Sequence, residues 1–330
     1  MTSYFIRRLF FMVLVLIMVS VVAFILIQLP PGDYVSSYVG LLRDQGIRLL
    51  PDQEAALRQQ YGLHLPVYLQ YFKWIRNMLE GDLGMSLQWR KPVNELIAER
   101  LPKTVMISML ALIFTYVMAI PIGIYSATRQ YSVGDYAFTV IGFVGLATPN
   151  FLFALILMFL FHKYFGLSIG GLFSQEYMTA AWSMAKFVDM LKHLPIPIIV
   201  IGTAGTAGLI RVMRGCLLDE LRKQYVITAR AKGVREKTLL FKYPVRVAIN
   251  PIISTIGWVL PAIVSGGVIT SIVLSLPTIG PLLFGALISQ DMYLAGSSIM
   301  LLTFLTVIGT FISDVLLVAV DPRIRYEKGV

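Results

Sequence analysis

Thiols, histidines and charges are scarce in this sequence. Cys216 is the one cysteine among 330 residues, which excludes an intrachain disulfide and a metal site built from paired thiolates. The three histidines, His64, His162 and His193, are scattered with no i, i+4 pair, which argues against a helical zinc site. Charged residues make up 14% of the chain, against about a quarter in a soluble domain. That deficit points to an integral membrane protein. No Gly-Lys dipeptide occurs, so the phosphate-cradling G-x-x-x-x-G-K-[ST] loop is absent and the chain has no recognised means of hydrolysing ATP. Acids are nearly missing from the apolar runs, Asp314 being the main exception. A proton- or sodium-driven carrier keeps ionisable groups in its spans, so a stand-alone secondary carrier is disfavoured. No nucleophile–base pair or metal cluster supports an enzyme.

What is present is apolar length. Hydrophobic residues are 57% of the chain and mean hydropathy is +0.76. Arg7 and Arg8 precede an apolar run from Leu9 to about Leu29. The run is about twenty residues, enough to span a bilayer and longer than a signal-peptide core of about 7–15. It reads as an uncleaved first span with the N-terminus inside. Residues 30–101 are polar and mixed in charge, with amphipathic pieces at Asp52–Tyr61 and Val67–Met78; Tyr68, Tyr71, Phe72 and Trp74 suit the membrane interface. A second span is expected from Pro102 to about Ala127. A third follows from Tyr136 to Phe161, broken by Thr148-Pro149-Asn150, which is either a local kink or a break lining a pathway. A second outer loop covers 162–192. A fourth span runs from Leu194 to Met213, where Gly202, Gly205 and Gly208 suit close helix packing. A fifth, Ala248–Leu274, is interrupted by Pro251, Pro261 and Gly266-Gly267. Residues 275–297 have the pattern of a re-entrant piece, and a sixth span runs from Ser298 to Val320.

The stretch from Arg211 to Arg246 interrupts this series. It holds ten lysines and arginines and only three acids, Asp219, Glu220 and Glu236. A basic, helix-prone insert between spans belongs on the cytoplasmic surface. With six spans the C-terminus is inside as well. Of the 28 basic residues, 16 then fall on the inner side, and the short outer segment 275–297 has none. The net charge of +10 therefore reflects topology and anionic headgroups rather than nucleic acid. Bent helices, no internal motor and a basic surface segment describe a passive pathway moved by a separate engine.

Tyr225 to Gly233 (YVITARAKG), followed by Val234, resembles the cytoplasmic loop of ATP-binding cassette (ABC) importer permeases, and more narrowly the B-type permease of the peptide/nickel importer family. Arg7-Arg8, Pro31-Gly32-Asp33, Tyr61-Gly62-Leu63, Pro66-Val67-Tyr68, Gly81-Asp82-Leu83-Gly84-Met85-Ser86, Arg100-Leu101-Pro102, Pro121-Ile122-Gly123 and Asp321-Pro322-Arg323 extend the resemblance over the whole chain. It implies an all-α, integral-membrane fold of six helices, the type I importer permease. Residues 1–101 would form the first transmembrane helix and a periplasmic loop, and 102–330 the permease core with a cytoplasmic coupling loop at 214–247.

The resemblance also implies a coupling helix around Thr228–Lys232, seated in a groove of the ATPase and ended by Gly233. The coupling residues would be Tyr225, Thr228, Ala229, Arg230, Ala231, Lys232, Gly233 and Val234. An amphipathic helix lying on anionic lipid is the plain alternative. The family's Glu-Ala-Ala is replaced by Ile227, Thr228 and Ala229. Ser271 stands where relatives often carry a glutamate, Pro277-Thr278-Ile279-Gly280 replaces Pro-Gly-x-Gly, and Asp291 is kept. Expected partners are a second homologous permease, two cytoplasmic ATP-binding subunits, an external solute-binding protein and membrane lipid, with no nucleic acid. The chain itself would hold no cofactor or metal, ATP and Mg residing in the partner ATPases. The location would be the bacterial inner membrane, multi-pass, with both termini cytoplasmic. The cargo would be a di- or oligopeptide, with an oligosaccharide as the alternative. Candidate pathway residues are Thr148, Asn150, Ser265 and Gly266. A scaffold without a pathway is opposed by the polar breaks at 148–150 and in span five.

Overall fold

The computed structural model describes residues 2–30, 32–166 and 170–320; side chains at 2–5, 34, 41, 257–258, 260–266 and 316–320 lie outside the description. Asp321-Pro322-Arg323 therefore lies outside it too, as do the side chains of Ser265 and Gly266. Helices make up the described secondary structure, with no named strand. The first part carries α1 (Thr2–Gln28), α2 (Tyr34–Asp44), α3 (Pro51–Gln60) and α4 (Val67–Leu79). Next come α5 (Val93–Thr128), α6 (Val133–Ala147), α7 (Asn150–Phe165), α8 (Gln175–Met178), α9 (Met184–His193) and α10 (Pro195–Leu221). The chain closes with α11 (Gln224–Ala231), α12 (Glu236–Lys242), α13 (Pro244–Ser254), α14 (Ile256–Val273), α15 (Ile279–Ile288) and α16 (Met292–Val320).

Among the described residues, four helices are long and apolar enough to cross a membrane: Ile6–Gln28, Val93–Thr128, Met184–Leu221 and Met292–Val315. A helix is the structure that satisfies its own backbone polar groups in lipid. The third expected span is two helices, α6 and α7, bent by 106° at 148–149; counted as one, the pair makes five spans, against six expected from the sequence. The fifth expected span falls on α13 and α14, which meet at Thr255. Boundaries move as well. The second span begins at Val93 rather than Pro102, the last at Met292 rather than Ser298, and α10 continues past Met213 to Leu221.

The chain forms two compact units, Met1–Thr104 with Pro277–Leu305, and Val105–Leu276 with Thr306–Val330. The segment from 277 to 305 thus belongs with the N-terminal part, although the sequence division at 101/102 assigns it to the core.

In the first unit, Val93, Leu96 and Ile97 on α5 pack with Ile279, Leu282 and Ala286 on α15 and with Leu294 and Ala295 on α16. A second cluster corrects the interface expectation for Trp74. This residue is 2% exposed and packs on Phe24, Tyr71 and Met292, with ring centroids 6.1 Å from Phe24 and 6.2 Å from Tyr71. α4 is amphipathic, so it buries Trp74 while Tyr68 and Phe72 stay exposed.

In the second unit, α10 packs against α6, α7, α13 and α14. Two of the three spaced glycines let α5 approach α10 closely. A Cβ on Gly202 would lie 2.6 Å from the Phe114 ring and 3.0 Å from the Ala111 carbonyl; on Gly205 it would lie 3.3 Å from Thr115; Gly208 has open space. Thr115 Oγ1 also donates to the Gly202 carbonyl at 2.9 Å, fastening α5 to α10. Gly202→Ala should therefore cost about 1–3 kcal/mol through overpacking. Gly208→Ala should be neutral or raise stability by up to about 1 kcal/mol, the helix-propensity difference. Thermal unfolding of the two variants in detergent checks the contrast, and equal effects would refute it.

Candidate functional site

The basic segment resolves into two short helices between the C-terminal end of α10 and the N-terminal end of α13. Lys223 precedes α11 in extended geometry. α11 ends in a paired cap: the Gly233 amide donates to the Arg230 carbonyl at 3.0 Å and the Val234 amide to the Ala229 carbonyl at 3.3 Å. Gly233 sits at φ 75°, a left-handed conformation that glycine adopts at little cost. This is a Schellman end, with Val234 packing near Ala229 as the motif requires. A side chain at Gly233 would meet open space, so backbone conformation is the constraint there. Gly233→Ala should lower the local stability of α11 by about 1–2 kcal/mol, seen as faster amide exchange across 224–234. Unchanged exchange would argue against it.

Val226 and Ala229 on α11 and Leu239 on α12 are buried together, with Val234 and Tyr243 packed against them. Ala229 and Val234, expected to meet a partner, instead turn inward and hold α11 to α12. The side chains facing outward are Tyr225, Thr228, Arg230, Ala231 and Lys232. Ile227 joins them at 47% exposure, at a position where the sequence departs from the family's Glu-Ala-Ala. An exposed isoleucine beside Arg230 adds an apolar contact to an otherwise polar and basic face.

Arg230 donates from Nε to Glu236 Oε1 at 2.6 Å and from Nη2 to Oε2 at 3.2 Å, a bidentate pair bridging α11 and α12. This hydrogen bonding holds Glu236 below its usual carboxylate range and raises Arg230. A depressed carboxylate lends stability that is present above its unfolded pKa and lost as pH falls through the folded value. The pair is exposed, so its main effect is on orientation. Tyr225 donates its hydroxyl to Glu220 Oε2, tying α11 back to α10; burial and this carboxylate push the phenol well up. The segment is a pre-formed, capped helical hairpin on the end of a long membrane helix.

A contact that local sequence did not announce supports it. Asp135, 3% exposed at its side chain, accepts from Arg214 on α10, at 3.2 Å from Nε and 2.9 Å from Nη2. It also accepts the Tyr131 amide at 3.0 Å, while Ser132 Oγ takes the Asp135 amide at 3.2 Å. Ser132 thus caps the start of α6, and Asp135 ties down the residue just before that cap.

The candidate pathway residues fall in the second unit. Thr148 and Asn150 flank Pro149 at the 106° bend, where Thr148 Oγ1 donates back to the Val144 carbonyl at 2.8 Å. Ser265 and Gly266 lie on α14, which packs against α7. Among the described residues, no group of three or more His, Cys, Asp or Glu could hold a metal.

Long lipid-length helices, a pair of helices broken at a polar tripeptide and a basic helical segment between α10 and α13 describe a multi-pass membrane protein. The chain belongs to the family described as binding-protein-dependent transport system inner membrane component, which matches residues 119–326; the N-terminal family of the same systems matches residues 1–108. It is 35% identical over 328 residues to the oligopeptide transport system permease protein AppB of Bacillus subtilis (strain 168), covering 99% of this chain and 100% of that protein. Identity is 30% over 341 residues to the di/tripeptide transport system permease protein DppB of Pseudomonas aeruginosa (strain UCBPP-PA14), with 99% and 100% covered. It is 28% over 344 residues to the dipeptide transport system permease protein DppB of Escherichia coli (strain K12), with the same coverage.

Proposed function

We propose that this chain is one permease subunit of an ATP-driven importer for di- and oligopeptides. Its assembly would contain a second homologous permease, two cytoplasmic ATP-binding subunits and an external solute-binding protein that delivers the cargo. ATP and Mg reside in the ATPases, and this chain contributes the pathway. Both termini and the 222–243 hairpin face the cytoplasm. The observation that carries the reading is the exposed face of α11, with Tyr225, Ile227, Thr228, Arg230, Ala231 and Lys232 presented on a capped helix and braced by Glu220 and Glu236. A rigid helix of this kind transmits closure of a bound ATPase to α10 and α13 because it is hydrogen-bonded and packed to both ends of the loop. Thr148 and Asn150, at the α6–α7 break, are the pathway residues most directly available, with Ser265 and Gly266 on α14. The peptide cargo is supported by full-length similarity to relatives named for oligopeptides, dipeptides and tripeptides.

Purification from native membrane in gentle detergent, with every bound chain identified by mass spectrometry, tests the assembly. Recovery of a second permease and two ATPases per particle is expected. Repeated recovery of this chain alone would overturn the importer reading and favour a self-sufficient carrier.

A further inference from the structure

A concavity in the first unit lies between α2 and α3. Its volume is about 540 Å³, within the range of about 300–1,000 Å³ typical of small-molecule sites. Val35 and Leu57 supply apolar floor, Tyr38 and Tyr61 supply rings, and Gln53 and Arg90 bring polar groups to it. Val35 is fully buried, and it clusters with Leu87 against Tyr38, Leu57 and Tyr61. The walls are therefore part of a packed core.

Arg90 is set deliberately. It has φ 51°, a left-handed conformation that costs an ordinary L residue backbone energy and draws attention to function. A tight loop imposes it. The Arg90 amide donates to the Ser86 carbonyl at 3.0 Å, the Ser86 amide to the Lys91 carbonyl at 2.9 Å, and the Val93 amide to the Gly84 carbonyl at 2.9 Å. Ser86 Oγ and the Gln88 amide are in turn anchored on buried Asp291, at 2.6 and 3.1 Å. The guanidinium lies over the Tyr38 ring, 5.4 Å from its centroid, and donates to the Tyr38 hydroxyl. No carboxylate pairs with it among the described residues. The nearby Arg58, by contrast, is bonded to both Asp33 and Glu54.

A fixed guanidinium with donors to spare, beside an aromatic and aliphatic cavity, matches one ligand chemistry. A carboxylate takes the planar fork of an arginine in two parallel hydrogen bonds. No acid lines the cavity, so nothing there complements an ammonium. We propose that this concavity binds the C-terminal end of a peptide, its free carboxylate on Arg90 and its last side chain between Tyr38, Tyr61 and Leu57. Gln53 and Gln60 also line the cavity; Gln53 Oε1 already accepts the Leu50 amide at 3.0 Å in the cap of α3, so its NH2 group and the Gln60 amide are the ones left for the peptide backbone. This assignment rests on the peptide-import reading and gives that importer a second point of cargo contact on the permease itself.

The test is titration calorimetry of the purified full-length chain with the dipeptide Ala-Phe and with its C-terminal amide. The acid should bind about tenfold more tightly, as a charge-assisted hydrogen bond implies. Arg90→Gly and Arg90→Asn both suit the left-handed backbone, so each should fold as well as the parent and bind the acid no better than the amide. Equal affinity for acid and amide in the parent, or an acid preference that survives both variants, would overturn the site. Acid and amide binding alike, with loss of solute-binding-protein capture in Arg90→Gly, would also overturn it, in favour of a protein contact. Uptake of Ala-Phe by the assembled transporter is measured separately. Its absence alongside Arg90-dependent binding would remove the import reading and leave the carboxylate site standing.

Discussion

Replacing Arg230 with Glu together with Ala231→Pro is expected to abolish stimulated ATP hydrolysis in the assembled transporter, while the permease still inserts into the membrane. Arg230→Glu converts a bidentate bridge to Glu236 into a like-charge contact, which pushes α11 and α12 apart. Proline at 231 removes an amide from the last turn of α11 and clashes with the carbonyl four residues back. Both changes fall on the exposed hairpin, away from the membrane helices. A single change separates lost contact from lost shape: Ile227 is 47% exposed and lies outside the Val226–Ala229–Leu239 cluster. Ile227→Asp should leave the hairpin folded yet lower the stimulated rate at least about tenfold, the effect of about 1.4 kcal/mol of docking energy. The measurement is ATPase activity in vesicles with and without cargo-loaded binding protein. Normal stimulation in both variants would remove α11 from the coupling path.

Asp291→Ala should be the most damaging single substitution in the first unit. The Asp291 side chain is fully buried. Its Oδ2 accepts the Ser86 hydroxyl at 2.6 Å and the Gln88 amide at 3.1 Å, and its Oδ1 accepts the Leu294 amide at 3.2 Å. Alanine leaves those three donors without this acceptor. An orphaned buried donor costs about 1–3 kcal/mol, so a loss of about 3–5 kcal/mol is expected. The variant should accumulate poorly in membranes, and material that can be purified should melt well below the parent. Ser86→Ala removes one of the three donors together with the acceptor of the Trp89 amide and should cost less than Asp291→Ala, which distinguishes the buried acceptor from a general sensitivity of the loop.

The same residue sets a pH dependence. Burial pushes the Asp291 carboxyl above its ordinary range, against the Ser86 hydroxyl and the Gln88, Leu294 and Leu87 amides, which favour the charged form. A carboxyl raised on folding lends stability that is fully present below its unfolded pKa and lost as pH rises through the folded value. Unfolding followed upward from about pH 3.9, the ordinary aspartate value, should show that loss in the parent and a flatter profile in Asp291→Asn. An identical slope in both would assign the pH dependence to other groups.

Membrane class, helical fold and the place of the basic hairpin are all legible in local sequence. Lipid-length apolar runs such as Leu9–Leu29 admit essentially one structure in a bilayer, because a backbone in hydrocarbon must bond to itself. Gly233 marked the end of α11 for an equally local reason, since left-handed backbone at a helix end favours glycine. The amphipathic piece near 67–78 became α4, which buries one face; the piece near 52–61 became α3, a polar helix with no buried residue, started by Pro51 and the Gln53 cap rather than by an apolar face. Which faces turn to the chain's own core depends on packing between distant elements. Trp74 went inward onto Phe24, and Ala229 and Val234 onto Leu239. The Ser86–Asp291 and Asp135–Arg214 contacts join residues 205 and 79 positions apart. The 106° turn at Pro149 and the left-handed Arg90 likewise depend on packing and loop hydrogen bonds. Local patterns report how a segment meets lipid, water and its own backbone. Pairings between distant charges depend on how whole helices stack, and one residue of register on either helix would separate Asp135 from Arg214.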